Sequence, residues 1–536
     1  MAETGKAVVD AKLKKVHAWI DLAAFGGLIL LIVYTLILHA ALIGMDGPLE
    51  YREAAIVDTT LLLLEGKHPY QEEVLPVHAN VYGISLSGAM ALLNPVLPPS
   101  LQNHRLISGI FLVLGCLLLV SIAKRSNLQP ALAWSVGGFY YVLVGTTYSL
   151  AARPDGVGLF LMFACLRLAM VEKGKAGFVP ALAGSVALAL LSFFAKPYFL
   201  FGFGCAGIYL AWRWGIKASI IYGIGFLVAA ATAYIVAQIT WPLYWVATFE
   251  INLMLALRIW ETFRNQWIYF FQLHAVWVAV LVFVWIKRPM WKLEPTSRWK
   301  VAWSQGVGKC FAADWSEVCA LCAAGFLLAG MAWHQGAYAI YFIHLLSPML
   351  LLATYSGLRN WKPTWRQLPF QLSLPSSVTF LQVLILGMFL SPLPHYSGSR
   401  NDALLAMFDP EDKVFASPLF LDVMIERGMP YLYNGQTEFL VIQAFVDSEK
   451  IPPSLRSAVQ KHQHFVTKRI RDRYYDRLIL GHTRIPRTLD LELVKQHYEI
   501  TAVGKRPVYY GNFSDPSRYG ECAYDVWIWE RKRSRP

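Results

Sequence analysis

About eleven stretches of this chain are apolar over the roughly 20 residues that a helix needs to cross a bilayer. They fall near 18–44, 105–123, 129–150, 155–171, 177–194, 197–212, 218–240, 266–286, 315–333, 337–355 and 374–392. Such a pattern leaves little choice of fold. Of the 536 residues, 56% are hydrophobic and only 15% are charged, a balance that excludes an ordinary soluble enzyme. The expected fold is a polytopic α-helical membrane protein with a small α/β domain at its C-terminal end. Residues 1–392 form the membrane part and residues 393–536 the tail.

The net charge of +13 would suit a nucleic-acid binder, so its placement matters. The tail holds 21 basic and 18 acidic residues, a net +3, which leaves +10 in the membrane part. There the cations collect in alternate short loops: Lys12/Lys14/Lys15, Lys124/Arg125, Lys173/Lys175, Arg213/Lys217, Lys287 to Lys309, and Arg359/Lys362/Arg366. By the positive-inside rule that side is the cytoplasm, and no nucleic-acid partner is expected. The N-terminus is then cytoplasmic, and an odd number of spans puts the C-terminal tail outside. The apolar core of the first span lacks a small-residue cleavage site after it, so it reads as a retained anchor. The setting is expected to be a bacterial inner membrane. Seven cysteines give no disulfide framework, and Cys319-x-x-Cys322 lacks the second pair that a zinc site needs.

On the outer side the first span runs into a long loop, 45–104. Asp46 stands at its mouth, followed by Gly47 and Pro48, a good helix start; Gly66 is a good stop. Glu50, Ala54 and Asp58 recur at helical spacing, so an amphipathic helix lying on the membrane surface is expected there. Residues 81–97 are apolar but short, which fits a re-entrant or interfacial helix better than a span. In the tail, KVFASPLF and VYYGN read as strands, and SLRSAVQKHQHFVTKRIRDRYYDRLIL as a basic amphipathic helix.

Ionisable residues gather at the outer ends of the spans. Arg153-Pro154-Asp155 opens the fourth span, Lys196-Pro197 the sixth, His334 ends the ninth, and Arg258 and Arg264 follow the seventh. Cations are disfavoured on this side and carboxylates are costly at a membrane, so together they suggest a site for an anionic, lipid-borne substrate. Sugar transfer from a phosphate-linked lipid needs a base for the acceptor hydroxyl and positive charge on the departing phosphate. Asp46 is the candidate base, with Glu50 and Asp155 as further catalytic candidates. Arg153, Lys196, Arg258, Arg264 and His334 are the candidate phosphate contacts. Tyr51, Tyr70, His78 and Tyr82, in the same outer loop, are the candidate acceptor and sugar contacts. A divalent cation, Mg or Mn, would use oxygens of Asp46 and Asp155.

An anchor span running into an acidic outer loop, then LLLLEGKHPYQEEVLPVHANVYG, then RPD at the start of a span, resembles the membrane-embedded GT-C glycosyltransferases. These include the aminoarabinose-transferase-like and protein-mannosyltransferase-like enzymes of bacterial envelopes. GKHPY is similar to the G-x-x-PY that follows the first surface helix in many of them. The resemblance implies a polyprenyl-phosphate-linked sugar as donor, a glycan or glycolipid acceptor on the outer face, inversion at the anomeric carbon, and an acidic base at the position of Asp46. Many members carry an adjacent Asp-Glu pair there; this chain has Asp46-Gly47 with Glu50 later, which leaves metal use open. Two other readings remain: an envelope polysaccharide ligase or polymerase, and a lipid-linked-glycan transporter or flippase. Against transport, no inverted repeat or pair of broken mid-membrane helices is visible.

Overall fold

The computed structural model describes residues 2–45, 49, 53–71, 80, 82–145, 151–172, 174, 177–250, 260–286, 302–303, 305–310, 314–331, 340–360, 374–388, 409, 411–416, 453–481, 489–510 and 520–532. Each of the eleven apolar stretches holds a helix. In chain order the helices are α1 (Ala2–Ile43), α2 (Glu53–Leu64), α3 (Ser85–Leu93), α4 (Leu101–Arg125), α5 (Pro130–Gly145), α6 (Asp155–Ala169) and α7 (Phe178–Phe193). They continue as α8 (Phe201–Trp214), α9 (Ile216–Thr240), α10 (Trp260–Ile286), α11 (Trp315–Phe326), α12 (Ser347–Asn360) and α13 (Leu374–Met388). Ala18–Ile43, Leu101–Arg125 and Ile216–Thr240 are long and apolar enough, by length and composition, to cross a membrane.

The helices divide by what surrounds them. In α5 every residue from Ser135 to Gly145 is buried among neighbouring helices. In α9 the apolar side chains of Ile221, Leu227, Val228 and Ile239 are exposed. A helix apolar all round must sit in a core or face lipid, and these two take the opposite options. Close approach between helices rests on glycine, as is usual in membranes. A Cβ on Gly156 of α6 would run into the Ser108 carbonyl of α4, and one on Gly83 would run into the Phe194 carbonyl at the end of α7. Both contacts lie beside the site described below.

α2 differs from expectation. The helix is there, but it does not lie on a surface: Glu53, Ala55, Ile56, Val57, Asp58, Thr59 and Thr60 are all buried. Ser87 of α3 donates to the Ile56 carbonyl (2.9 Å), and Thr60 meets His104 of α4 (2.8 Å). Glu53 is met by protein groups instead of water, Asp58 is buried too, and Glu50 lies outside the described residues. α2 ends as Gly66 suggested. Gly66 is left-handed (φ +72°). The Lys67 N–H reaches the Leu62 carbonyl (2.9 Å) and the Gly66 N–H the Leu63 carbonyl (3.1 Å), the pair of bonds of a Schellman stop. At nine residues, α3 is too short to cross a bilayer.

Toward the C-terminus, β1 (Val414–Ala416), β2 (Arg477–Gly481), β3 (Tyr498–Tyr510) and β4 (Gly520–Arg531) form a sheet in the order β1-β2-β4-β3. β1 and β2 are parallel and the other pairs antiparallel. α14 (Pro453–Arg471) and α15 (Leu491–His497) accompany it, and Phe415, Val466, Ile470, Leu478, Val494 and Trp529 make its core. The basic helix stops earlier than its amphipathic pattern suggests. Arg473 turns left-handed (φ +51°), and RLIL becomes β2, paired on both sides. Ladder hydrogen bonds to two neighbouring strands override the local helical preference.

Candidate functional site

The site is assembled at the N-terminus of α6. Asp155 is its first residue, and Pro154 precedes it as the N-cap. A carboxylate there complements the helix dipole, but its other partners say more. Lys196 Nζ lies 2.6 Å from Asp155 Oδ1 and Arg153 Nε lies 3.1 Å from Oδ2. The Tyr198 hydroxyl donates to Oδ1 at 2.9 Å. All three charged side chains are buried. Lys196 and Tyr198 arrive together because Pro197 starts a tight 3-10 turn, Pro197–Leu200, with Lys196 as its cap.

His344, from a π-helical turn (Phe342–Leu346) leading into α12, closes the far side. Its Nδ1 is 3.0 Å from the Tyr198 oxygen. Tyr198 has one hydroxyl proton and gives it to Asp155, so His344 carries a proton on Nδ1 and donates it to Tyr198. Tyr140 of α5 donates to the His344 carbonyl (3.3 Å).

Tyr82 covers the cations. Lys196 Nζ sits 4.4 Å from the centre of its ring and the Arg153 guanidinium carbon 5.2 Å. Both are cation–π distances. The ring is carried there by backbone pairing: the Gly83 N–H donates to the Ala195 carbonyl (3.0 Å) and the Ser85 N–H to the Phe194 carbonyl (3.3 Å). Tyr70 donates its hydroxyl to the Tyr82 carbonyl (2.8 Å). Burial, reinforced by Tyr244, pushes the Tyr70 phenol well above its ordinary pKa, so it stays a neutral donor.

A second ionic cluster stands next to the first. Arg105 of α4 forms a two-pronged pair with Glu53 of α2, Nε to Oε1 at 2.9 Å and Nη2 to Oε2 at 2.7 Å. Arg105 also donates from Nη1 to the carbonyls of Met45 (2.6 Å) and Leu42 (3.3 Å). Glu53 accepts from the Leu49 N–H (2.6 Å) and from the Ala152 N–H (2.6 Å). One buried pair therefore ties together the end of α1, Leu49, α2, α4 and the backbone just before Arg153.

Of the residues singled out in the sequence, Arg153, Asp155, Lys196 and Tyr82 converge, with Tyr70 one bond away. Arg264 is described and exposed on α10. Among the described residues no contact joins it to the cluster. Asp46, Glu50, Tyr51, His78, Arg258 and His334 lie outside the described residues. Asp155, named above as a catalytic and metal candidate, is reached by Lys196, Arg153 and Tyr198 at once, which is the setting of a counter-ion. Both its oxygens face cations, and Asp46, the other carboxylate named for a metal, lies outside the described residues. No group of three His, Cys, Asp or Glu among the described residues could hold one.

Sequence reasoning missed Tyr198, His344, Glu53 and Arg105. The signal available was the same for each: a polar side chain inside or against an apolar window, where it needs a partner.

Comparison with known proteins adds to this geometry. No family model matches the chain, and no curated protein matches it. Solved structures do. A crystal structure of ArnT from Cupriavidus metallidurans bound to undecaprenyl phosphate is similar over 94% of this chain and 98% of that one, with a TM-score of 0.53. The apo form of the same protein covers the same shares with a TM-score of 0.54. The fold is that of ArnT. Identity is 12% in both comparisons, so the likeness to ArnT is one of architecture. ArnT structures are GT-C glycosyltransferase structures, the architecture that the resemblance in the outer loop implied. The ArnT-like fold and its apolar helices make this an integral membrane protein.

Proposed function

We propose that this chain is a membrane glycosyltransferase. It moves a sugar from a polyprenyl-phosphate donor to a glycan or glycolipid acceptor of the cell envelope, at the outer face of the membrane. The observation that carries the reading is the gathering of Lys196 and Arg153 on one buried carboxylate beneath Tyr82. An ArnT-like fold supports it.

Asp46 takes the proton of the acceptor hydroxyl. The oxygen attacks the anomeric carbon from the side opposite the phosphate, and the bond from that carbon to the phosphate oxygen breaks with inversion. Lys196 and Arg153 meet the charge that grows on the leaving phosphate. Asp155 and Tyr198 hold Lys196 in place, so little reorganisation is needed as that charge develops. Tyr82 lends a ring to the sugar or the phosphate-bearing end. No step is assigned to a metal. In the proposed topology eleven spans put the N-terminus in the cytoplasm, and residues 393–536 form an extracytoplasmic unit.

The test is transfer of a radiolabelled sugar from polyprenyl-phosphate donors in membranes, wild type against Asp46→Asn. A wild-type signal that falls at least ~10²-fold is the size expected of a general base. Transfer that survives the substitution keeps the activity and moves the base to Glu50. No transfer with any donor, with the protein intact in the membrane, would refute the reading.

A further inference from the structure

α1, α4 and α5 enclose an apolar cavity of about 390 Å³, lined by none of the residues of the ionic site. Phe25, Ile29, Leu36, Leu117, Trp134 and Gly138 are among its walls. Two hydroxyls stand in the wall, and both are engaged within the protein: Ser135 donates to the Ala131 carbonyl (3.0 Å), and the Tyr141 hydroxyl is bonded to His39. Ile29, Leu36, Leu117 and Trp134 are also exposed, so the mouth opens sideways to whatever surrounds the helices. In a membrane protein that is lipid.

Length and charge narrow the occupant. The α1 wall runs from Phe25 to Leu36, a rise of about 16 Å, or roughly one leaflet of a ~30 Å hydrocarbon core. At one end Tyr141 lines the cavity, and its hydroxyl is bonded to His39 Nδ1 (2.7 Å). At the other end Trp134 carries the Lys124 ammonium 5.4 Å from its ring centre. Lys124 and Arg125 form the last turn of α4. Arg125 is held by Glu172 (3.3 Å), while Lys124 projects beside the mouth and is exposed.

We propose that this cavity is a binding site for an anionic phospholipid of the cytoplasmic leaflet, one acyl chain lying between α1, α4 and α5 and the headgroup phosphate on Lys124. Trp134 belongs to both halves, as wall to the chain and as ring to the cation, and aromatic residues of this kind sit at headgroup level. The leaflet follows from the orientation proposed above; the site itself does not depend on sugar transfer.

Native mass spectrometry of the purified protein tests it, with phosphatidylglycerol, phosphatidylcholine of the same acyl chains, and a polyprenyl phosphate as probes. One phosphatidylglycerol should be retained per protein, about fivefold better than phosphatidylcholine, the size of one lysine near a surface. Lys124→Gln should remove that preference and keep binding of both lipids. Leu117→Trp, at the exposed mouth, should abolish retention of both. Melting temperatures in detergent report whether each variant is folded. Equal retention of the two phospholipids by the wild type, or retention unchanged in both variants, would overturn the proposal. So would one-for-one displacement by polyprenyl phosphate, which would give the cavity to the donor tail. None of these readouts involves activity, so the glycosyltransferase reading can fail while this one stands.

Discussion

The two buried ionic clusters are neighbours built to different plans. In the pair of Glu53 and Arg105 the two prongs match, and the remaining lone pairs and protons go to backbone groups of Leu42, Met45, Leu49 and Ala152. In the cluster at Asp155, two cations share one carboxylate, an aromatic ring covers them, and a tyrosine and a histidine complete the chain of bonds. The first arrangement satisfies a buried charge pair fully, as a structural fastening must. The second keeps cations poised together. A fastening should fail in stability when broken, and a site should fail in chemistry.

Arg105→Met gives the largest expected effect. Glu53 would be left charged and buried, at a cost of about 3–5 kcal/mol, read as a fall in thermal stability in detergent. The double variant Glu53→Gln/Arg105→Met should recover part of the loss, because no bare charge remains. If the double is no better than the single, the pair is not what holds these segments.

Lys196→Met should act the other way. Transfer should drop about 10²–10³-fold, the size of losing one preorganised donor to a developing charge, with the donor KM changed far less than kcat. A drop in melting temperature as large as that of Arg105→Met, with activity retained, would erase the distinction between the clusters. Tyr198→Phe tests the next layer. It removes one bond to a charged acceptor, about 1.5–3 kcal/mol in general. Transfer should fall roughly tenfold, since Arg153 still meets Asp155, and the double variant with Lys196→Met should be no worse than Lys196→Met alone. Additive losses would mean that Tyr198 acts independently of Lys196. Arg125→Gln supplies the small end of the scale. Its pair with Glu172 is solvent-exposed, so stability should move by under about 1 kcal/mol and transfer not at all.

Much of the helical frame could be read directly. Apolar runs of span length became helices at their predicted places, and Gly66 ended α2 through a left-handed turn. Half of the site was also legible, since Arg153, Asp155 and Lys196 stood out as charges at the ends of apolar windows. Their partners did not. Tyr198 and His344 are 146 residues apart in the chain, and nothing local to either names the other. The outer-loop helix read as an amphipathic surface helix, and only the arrival of Arg105 from α4 makes its Glu53 a buried anchor. RLIL shows the same limit in the tail: it continues a helical pattern until two strands claim its backbone.

What the sequence determined by itself was the class of molecule: apolar windows of fixed length, charge gathered in alternate loops, and ionisable residues at the ends of spans. These follow from transfer energies that act residue by residue, so they need no knowledge of neighbours. The tertiary structure decided which charges meet, which carboxylate becomes a counter-ion, and which helix faces lipid or core. A buried charge survives only beside partners brought from distant parts of the chain, and that choice is made by packing, not by any local pattern.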